Sequence, residues 1–455
     1  MDIPDGAMTP DVLLALRLRT GSEPLLPRLK KFYCGEPTEA FLPFLPLFLS
    51  LKTTKIFIAF DQDYSTIAVA STISRLSTLC PDLERISLID LPRNSVITNA
   101  VSEMVLGCNP NSLRELHVES PLTEEAQEVV YHLPRLTSLW ARFKGPTSLP
   151  TVALPDLTEI SIGYKDDLSW VRGFRGAKLE RLESVTIISE SSPIGDPLGA
   201  FERVASTTSV KNTLSRFRFS AWKSWNPNYR ALLSFRQLKS LEIKFLCSNG
   251  CSSTIDDDMI TNLAQAMPKL EILQLGDYPC RIATGVTVNG LMELAHRCPH
   301  LSELRIHFQA ASLVDAVAVA VARPPSGGEH AVQGSDCALT DLEVGEIPIP
   351  AGSGSSVSLV LLQIFPRLLN VRHVDRGWGG VAKNIKTFRQ TGTFVHHSGK
   401  AHSPHLQLSL VICYQLETRS PQDTHQEIRS QARERHFLFK YLLPLGPHFS
   451  RMGDF

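Results

Sequence analysis

The chain has 455 residues, of which 43% are hydrophobic, so it holds enough apolar side chains for a large core. Its 46 basic and 46 acidic residues cancel, whereas a nucleic-acid or anionic-membrane partner usually goes with a basic excess, so neither is expected as a partner. Nine cysteines at irregular positions, no apolar signal segment after Met1 and no Asn-x-Ser/Thr sequon predict an intracellular protein, cytoplasmic or nuclear, with reduced thiols.

Residues 1–25 are expected to be a short N-terminal lead-in with a helix at Asp11–Leu18. After this segment, one leucine-containing phrase recurs almost to the end of the chain. Its form, Pro-x-Leu-x-x-Leu-x-Leu, is seen at Pro268–Leu275. Most copies follow one another after 21 to 32 residues, a period typical of stacked repeats. The first leucines of the copies are Leu29, Leu83, Leu113, Leu136, Leu157, Leu182, Leu214, Leu238, Leu270, Leu301, Leu339 and Leu368, and a weak copy begins at Leu51.

The last two apolar residues of the phrase alternate, so they share one face of a short strand. The rest of each unit must return the chain for a parallel neighbour, which needs about a dozen residues. Apolar residues at helical spacing predict helices at Ile67–Leu79, Ile260–Met267 and Gly290–Cys298, whereas units of 21–25 residues leave room for loops or a single 3₁₀ turn. We therefore predict an α/β fold, a right-handed leucine-rich-repeat solenoid or horseshoe over 26–375, with about 12–13 irregular repeats and parallel inner strands.

Two Gly-rich segments, 324–328 and 349–356, interrupt the repeats and read as flexible surface loops. From residue 376 the leucine phrase stops, and half of the 14 histidines fall in the last 80 residues. We expect 376–455 to be an irregular, partly disordered tail, with little fixed structure after about residue 415.

No catalytic, cofactor-binding or metal-binding residues are predicted. The Gly-rich loops lack the Lys-Ser/Thr pair of a phosphate-binding loop, and His396, His397, His402 and His405 have no spacing that suits a metal. Cys247 and Cys251 form a pair without a second pair, which disfavours metal or redox chemistry. The acidic run Asp256–Asp258 directly precedes a predicted helix, where carboxylates stabilise the positive end of the helix dipole.

Variable residues between the repeat leucines are expected on the concave face, where solenoids usually bind. Trp140 beside Arg142 resembles an interface anchor, although a tryptophan partly covered by its neighbours fits the pattern equally well. Trp222 and Trp225 could form a lip but are expected to fold back over the edge of the core. The candidate partner-binding residues are Glu115, His117, Glu119, Trp140, Arg142, Arg216, Arg218, Glu242, Lys244, Arg305 and His307.

The segment Leu270–Leu301, with its helix followed by Cys298-Pro-His-Leu301, resembles the cysteine-containing leucine-rich repeat of F-box proteins. The same ending recurs at Cys80, and the irregular units together with the early stretch Leu25–Leu49 resemble fungal F-box/leucine-rich-repeat proteins in particular. The Asn or Cys usual five residues after the second leucine is mostly absent, so the side-chain ladder of the family is expected to be degenerate. The F-box itself is not visible, and the first 25 residues are too short to hold it.

A stacked-repeat chain builds a binding surface more often than an active site, so we expect a protein-interaction scaffold and no enzyme. The resemblance implies the substrate-recognition part of an SCF-type ubiquitin ligase receptor, with a protein substrate as partner and Skp1 only if an F-box precedes this chain. The alternative is a free-standing regulator or inhibitor that binds one partner without a ligase role. An enzyme built from loops such as 247–254 ranks last, since no cluster of titratable residues can be assembled for it.

Overall fold

The protein is described here from a computed structural model. The residues that it describes are 9–21, 23–35, 37–142, 154–164, 174, 179–189, 196–206, 210–221, 228–245, 255–276, 285–313, 336–344, 349, 352–373 and 377–390.

Thirteen strands form one parallel sheet, in which every strand pairs with its neighbours in chain order from β1 to β13. Each strand lies within one predicted copy of the leucine phrase and begins shortly after its first leucine, including the weak copy at Leu51, so the predicted α/β leucine-rich-repeat solenoid is confirmed. The strands β1 to β13 are Lys31–Cys34, Lys55–Ala59, Arg85–Ile89, Glu115–Pro121, Ser138–Arg142, Glu159–Tyr164, Ser184–Ser189, Arg216–Ala221, Ser240–Phe245, Ile272–Leu275, Glu303–Ile306, Asp341–Val344 and Asn370–His373.

Helices or 3₁₀ turns return the chain in most described units. The α-helices, numbered α1 to α11 along the chain, are Pro10–Thr20, Thr66–Ser74, Leu76–Leu79, Ser95–Gly107, Glu124–Val130, Pro197–Ser206, Val210–Thr213, Asp257–Ala266, Val288–Arg297, Gly354–Ile364 and Gly377–Gln390. The 3₁₀ helices are Glu39–Leu47 and Tyr229–Leu232. The helices predicted from apolar spacing are therefore present as α2 with α3, as α8 and as α9.

The core is a continuous column of leucines between the sheet and these returns. Leu116, Leu273 and Leu304 are completely buried, as are their counterparts in the neighbouring strands. Each buried side chain of this kind contributes about 1.5–3 kcal/mol to the stability of the fold. A single repeat could not bury these side chains without its neighbours.

Carbonyl groups at the start of the strands hold successive repeats together. The Arg114 carbonyl accepts hydrogen bonds from the amides of both Thr137 and Ser138, at 2.7 and 3.1 Å. The Thr137 hydroxyl donates to the same carbonyl at 3.0 Å, and the Thr158 hydroxyl donates to the Thr137 carbonyl at 3.0 Å. These contacts satisfy backbone groups at the strand starts, although most residues of the family's side-chain ladder are absent from the sequence.

The cysteine of the Cys-Pro step ends its helix, as the sequence pattern indicates. Cys80 and Cys298 are fully buried and terminate α3 and α9. The Cys298 thiol lies 3.7 Å from the Met267 carbonyl of the preceding repeat, and the Cys337 thiol lies 3.6 Å from the Cys298 carbonyl. The cysteine thiol, which is small and a weak hydrogen-bond donor, thus fits a site where a larger side chain would separate the repeats.

The acidic run before α8 caps the helix and also joins it to the next one. The Asp256 carboxylate accepts the Met259 amide at 2.9 Å, which confirms the predicted cap. Asp257 goes further: its carboxylate accepts the amides of Thr287 and Gly290, at 2.7 and 3.1 Å, and the Thr287 hydroxyl at 2.5 Å. One side chain therefore fixes the start of α9 against the start of α8.

Three segments differ from the expected loops. The 23-residue unit after Leu113 contains α5, because the Thr123 hydroxyl caps it and Glu124 and Glu125 occupy its first turn. The second half of the expected loop 349–356 is the start of α10, whose first residue is Gly354. Regular structure also continues past residue 375, where α11 packs on β13 and α10.

Helix α11 belongs to the solenoid because its buried residues recur at helical spacing: Trp378, Val381 and Ile385 are completely buried. The Trp378 ring meets Phe308 edge-on at 5.8 Å. The segments 324–328 and 391–455, the two cysteines of the 247–251 pair, the four histidines near residue 400, and Trp222 and Trp225 lie outside the described residues.

The Trp378→Ala substitution should destabilise the C-terminal repeats by about 3–5 kcal/mol, since it empties a buried site between α11 and the sheet. Amide hydrogen exchange should accelerate in β13 and α10 and stay unchanged in β1 to β3. Leu369→Ala, at a side chain that is 53% exposed, is the matched control. Unchanged protection of β13 in the Trp378 variant would show that α11 does not stabilise the end of the sheet.

Candidate functional site

The side chains on the sheet face opposite the leucine column form what we call the open face. On each strand the first two residues of this face have partners in register on the next strand, so they line up in two columns. The first column is Lys31, Lys55, Arg85, Glu115, Ser138, Glu159, Ser184, Arg216, Ser240, Ile272, Glu303, Asp341 and Asn370, and the second is Tyr33, Phe57, Ser87, His117, Trp140, Ser161, Thr186, Arg218, Glu242, Gln274, Arg305, Glu343 and Arg372.

An aromatic pair lies in the second column on β4 and β5. The rings of His117 and Trp140 meet edge to face, with centroids 6.2 Å apart and planes at 75°. The His117 Nε2 atom lies 3.0 Å from the Ser138 hydroxyl. Trp140 is half-buried, so its neighbours hold the ring in place while part of its surface faces solvent.

A strained turn positions Glu119 beside this pair. Asp90 adopts a left-handed φ of 56°, uncommon for a residue with a side chain, and its amide donates to Glu119 Oε2 at 3.0 Å. The register of β4 with β5 shifts between Val118 and Pro121, so Arg142 pairs with Pro121. Such a bulge re-aims the side chains that follow it.

Burial raises the pKa of Glu119 above its ordinary value. The Asp90 amide, which favours the carboxylate, and the charges of Arg142 and Arg93 oppose that shift but do not cancel it, and the charge of Asp90 adds to it. At β4 the open face therefore holds a carboxyl group that takes up a proton more readily than a solvated glutamate.

An ion pair across strands occupies the open face at β8 and β9. The Arg218 guanidinium binds both carboxylate oxygens of Glu242, at 2.9 and 2.7 Å, and the Lys244 ammonium lies 3.5 Å from the same carboxylate. Burial alone would raise the pKa of Glu242, but the hydrogen bond and charge of Arg218, with those of Lys244, outweigh it, so the pKa is lowered. Arg216, at the start of β8, is exposed.

A second pair follows on β11 and β12. Arg305 Nη2 lies 2.6 Å from both carboxylate oxygens of Glu343, and the Gln274 amide donates to Glu303 at 2.7 Å. His307 is buried against Gly276, whose φ is +95° and where a Cβ atom would come within 3.3 Å of the imidazole. His307 is thus a packing residue more than an exposed contact.

The predicted site residues consequently fall into three groups. The first group, Glu115, His117, Glu119, Trp140 and Arg142, lies on the adjacent strands β4 and β5. The second, from 216 to 244, lies on β8 and β9. The third is Arg305 on β11 with His307 directly after that strand. At about 4.8 Å per strand, β5 and β11 are roughly 29 Å apart, so the groups do not form one compact site.

Sequence reasoning missed several residues of the open face, although the column positions could have identified them. Glu343 occupies the place of Arg305 one repeat later, and Arg85 pairs with Glu115 at 2.5 Å. Tyr33 and Phe57 stand in the column of His117, with stacked rings 6.2 Å apart at 29°.

The described residues contain no group of three His, Cys, Asp or Glu side chains that could hold a metal ion. Their five cysteines are all buried. Burial raises the pKa of Cys80 to about 11 and that of Cys298 to about 12, which disfavours the reactive thiolate. Within the same ranges, no helix has the length and apolar character needed to cross a membrane.

No protein-family model matches the sequence, and none of the curated proteins matches it. Among solved structures, the chain is similar to an internalin from Listeria monocytogenes, at 10% sequence identity and a TM-score of 0.36, over 81% of this chain and 90% of that chain. A similarity of this degree does not indicate a shared function.

The Glu119→Gln substitution should change the pH dependence of stability. Because the folded-state pKa is raised, the favourable contribution of wild-type Glu119 is complete below its unfolded-state pKa of about 4.5 and is lost as pH rises through the folded value. Glutamine keeps an acceptor for the Asp90 amide without the charge. In urea titrations the variant should therefore gain stability over wild type between pH 4 and pH 7.5, and a constant difference would contradict the raised pKa.

The Glu242→Gln substitution should show the opposite trend. The folded-state pKa is lowered, so the contribution of wild-type Glu242 is present above about pH 4.5 and is lost as pH falls through the folded value. At pH 7.5 the variant should lose about 1–3 kcal/mol of unfolding free energy with the charged hydrogen bonds to Arg218. That loss should shrink toward pH 3; a loss of equal size at both pH values would assign it to packing instead.

Proposed function

We propose that the chain binds a protein partner through its open face and is the substrate-recognition repeat region of an F-box-type SCF ubiquitin ligase receptor. The observation that carries the proposal is the open face itself. Parallel sheets normally have both faces covered, yet here one face of thirteen strands presents half-buried charged and aromatic side chains among the described residues. Such a surface suits a macromolecular partner better than a small substrate, which needs an enclosed pocket.

The His117–Trp140 pair, with Glu119 and Arg142, is the proposed anchor of that surface. Tryptophan and arginine dominate binding energy at protein interfaces, especially where neighbours already restrict them. Trp140 is held by the edge contact with His117, so fixing it on binding costs little further side-chain entropy. The nearby Glu119 and Arg142 supply polar groups that can select a partner by charge.

The ligase role rests on the resemblance of the repeats and not on the open face. The helix that ends in a buried cysteine before Pro-x-Leu, seen at Cys80 and Cys298, is the feature shared with F-box/leucine-rich-repeat proteins. Binding to Skp1 would require an F-box ahead of residue 1. Mapping the 5′ end of the transcript and testing the complete product for co-purification with Skp1 and a cullin separates the receptor from a free-standing regulator.

The Trp140→Ala substitution should reduce partner binding. Loss of a central interface tryptophan typically costs about 2 kcal/mol or more, which is roughly a thirtyfold weaker affinity. The measurement is quantitative affinity capture with the full chain, in which proteins retained by wild type are compared with those retained by the variant. Thermal unfolding of the variant checks that the fold is intact.

Ile67→Ala is the matched control, since Ile67 is a large apolar residue, 78% exposed, on α2. A partner of the open face should be lost with the Trp140 variant and kept with the Ile67 variant. Loss only with the Ile67 variant would move the binding surface to the helical side, and full retention by both variants would contradict the Trp140 anchor. Capture of a partner without any cullin component would favour the regulator.

A further inference from the structure

Charge is unevenly distributed along the two columns of the open face. On β1 to β3 the columns contain three cations, Lys31, Lys55 and Arg85, and no acid. On β8 to β13 they contain four cations against four acids: Arg216, Arg218, Arg305 and Arg372 against Glu242, Glu303, Asp341 and Glu343. The neutral total of the chain therefore hides a positive region at one end of the sheet.

The C-terminal part of the face neutralises itself. Arg218 and Arg305 each bind two carboxylate oxygens of the neighbouring strand, at 2.6 to 2.9 Å. Their charges and donors are largely satisfied before any partner arrives, so a partner would have to break these pairs to use them. This part of the face is poorly suited to attract a charged ligand.

The first strands are different. Lys31 is exposed and Lys55 half-buried, and neither ammonium has a carboxylate partner among the described residues. Only Arg85 of this group is paired, with Glu115 of β4. At about 4.8 Å between strands, the Lys31 and Arg85 backbones are roughly 10 Å apart, within reach of one short peptide segment.

An aromatic surface lies beside these cations. Tyr33 and Phe57 stand one column over from Lys31 and Lys55, with stacked rings whose centroids are 6.2 Å apart. Both residues are half-buried, so part of each side chain remains accessible. We call Lys31, Tyr33, Lys55, Phe57 and Arg85 the cationic end.

We infer that the cationic end binds an acidic peptide segment that carries an aromatic or aliphatic residue. The carboxylates of the segment face Lys31 and Lys55, and its apolar side chain lies on Tyr33 and Phe57. The inference rests on the proposed function, because it gives the chemical class of the partner that the open face recognises. Single-stranded nucleic acid could also use cations beside aromatic rings, but the 46 basic and 46 acidic residues of the chain cancel, whereas nucleic-acid-binding proteins usually have a basic excess.

The test uses the full chain and three fluorescein-labelled octapeptides, each with two phenylalanines and six glutamates, glutamines or lysines. Fluorescence anisotropy should show that the glutamate peptide binds at least about tenfold tighter than the glutamine peptide, with an affinity that falls as salt increases. Equal binding of the glutamate and glutamine peptides would overturn the inference.

A charge-reversed variant provides a more specific test of the inference. In the Lys31→Glu/Lys55→Glu variant the preference should invert, so that the lysine peptide binds and the glutamate peptide does not. A variant that merely misfolds would lose both peptides, and thermal unfolding would reveal it. The matched control is Lys383→Glu/Lys386→Glu on α11, which makes the same charge change at exposed positions and should leave the glutamate preference intact.

Two further outcomes separate this inference from the proposed function. An oligothymidylate that binds more tightly than the glutamate peptide, with the same dependence on Lys31 and Lys55, would replace the peptide by nucleic acid. Partners that are lost with Trp140→Ala but bind the doubly reversed variant normally would sustain an open-face binding role and overturn the acidic class. Loss of captured partners with both variants supports both proposals.

Discussion

The in-register pairing of parallel strands is the constraint on which the rest of the structure depends. Side chains alternate between faces along a strand, so a slip of one residue would turn Leu116 outward and His117 into the core. The buried leucine column prevents that slip, and the carbonyls at the strand starts, which each accept two amides from the next repeat, fix the same register. Every position of the open face therefore follows from the burial of leucine on the other face.

This constraint explains why the strands could be predicted from the sequence and why two of the helices could not. The first leucine of each copy specifies a strand whether or not a proline precedes it, and even the weak copy at Leu51 leads into β2. Helix α5 depends on a threonine cap in a unit that seemed too short, and α11 depends on Trp378 burying itself against earlier repeats. Both result from local capping or distant packing, which a search for one recurring phrase does not detect.

The candidate site was predictable in position more than in chemistry. Residues between the leucines do lie on the open face, but the sequence does not show which of them neutralise one another. From the sequence, Arg305 was expected to contact a partner. In the structure it lies within hydrogen-bonding distance of Glu343, 38 residues later. The left-handed Asp90 and its hydrogen bond to Glu119 likewise depend on a turn geometry that has no simple sequence signature.

The cross-strand pairs also affect how the open face can change during evolution. A mutation at Arg218 leaves the buried Glu242 with only Lys244 as a cationic neighbour, so new chemistry there also needs a substitution at Glu242, 24 residues later. Lys31 and Lys55 have no carboxylate partner among the described residues, so each can be replaced without leaving an opposite charge unpaired. The first repeats are thus the part of the surface where recognition can diverge by single steps, while the later repeats are held to their present residues by mutual dependence.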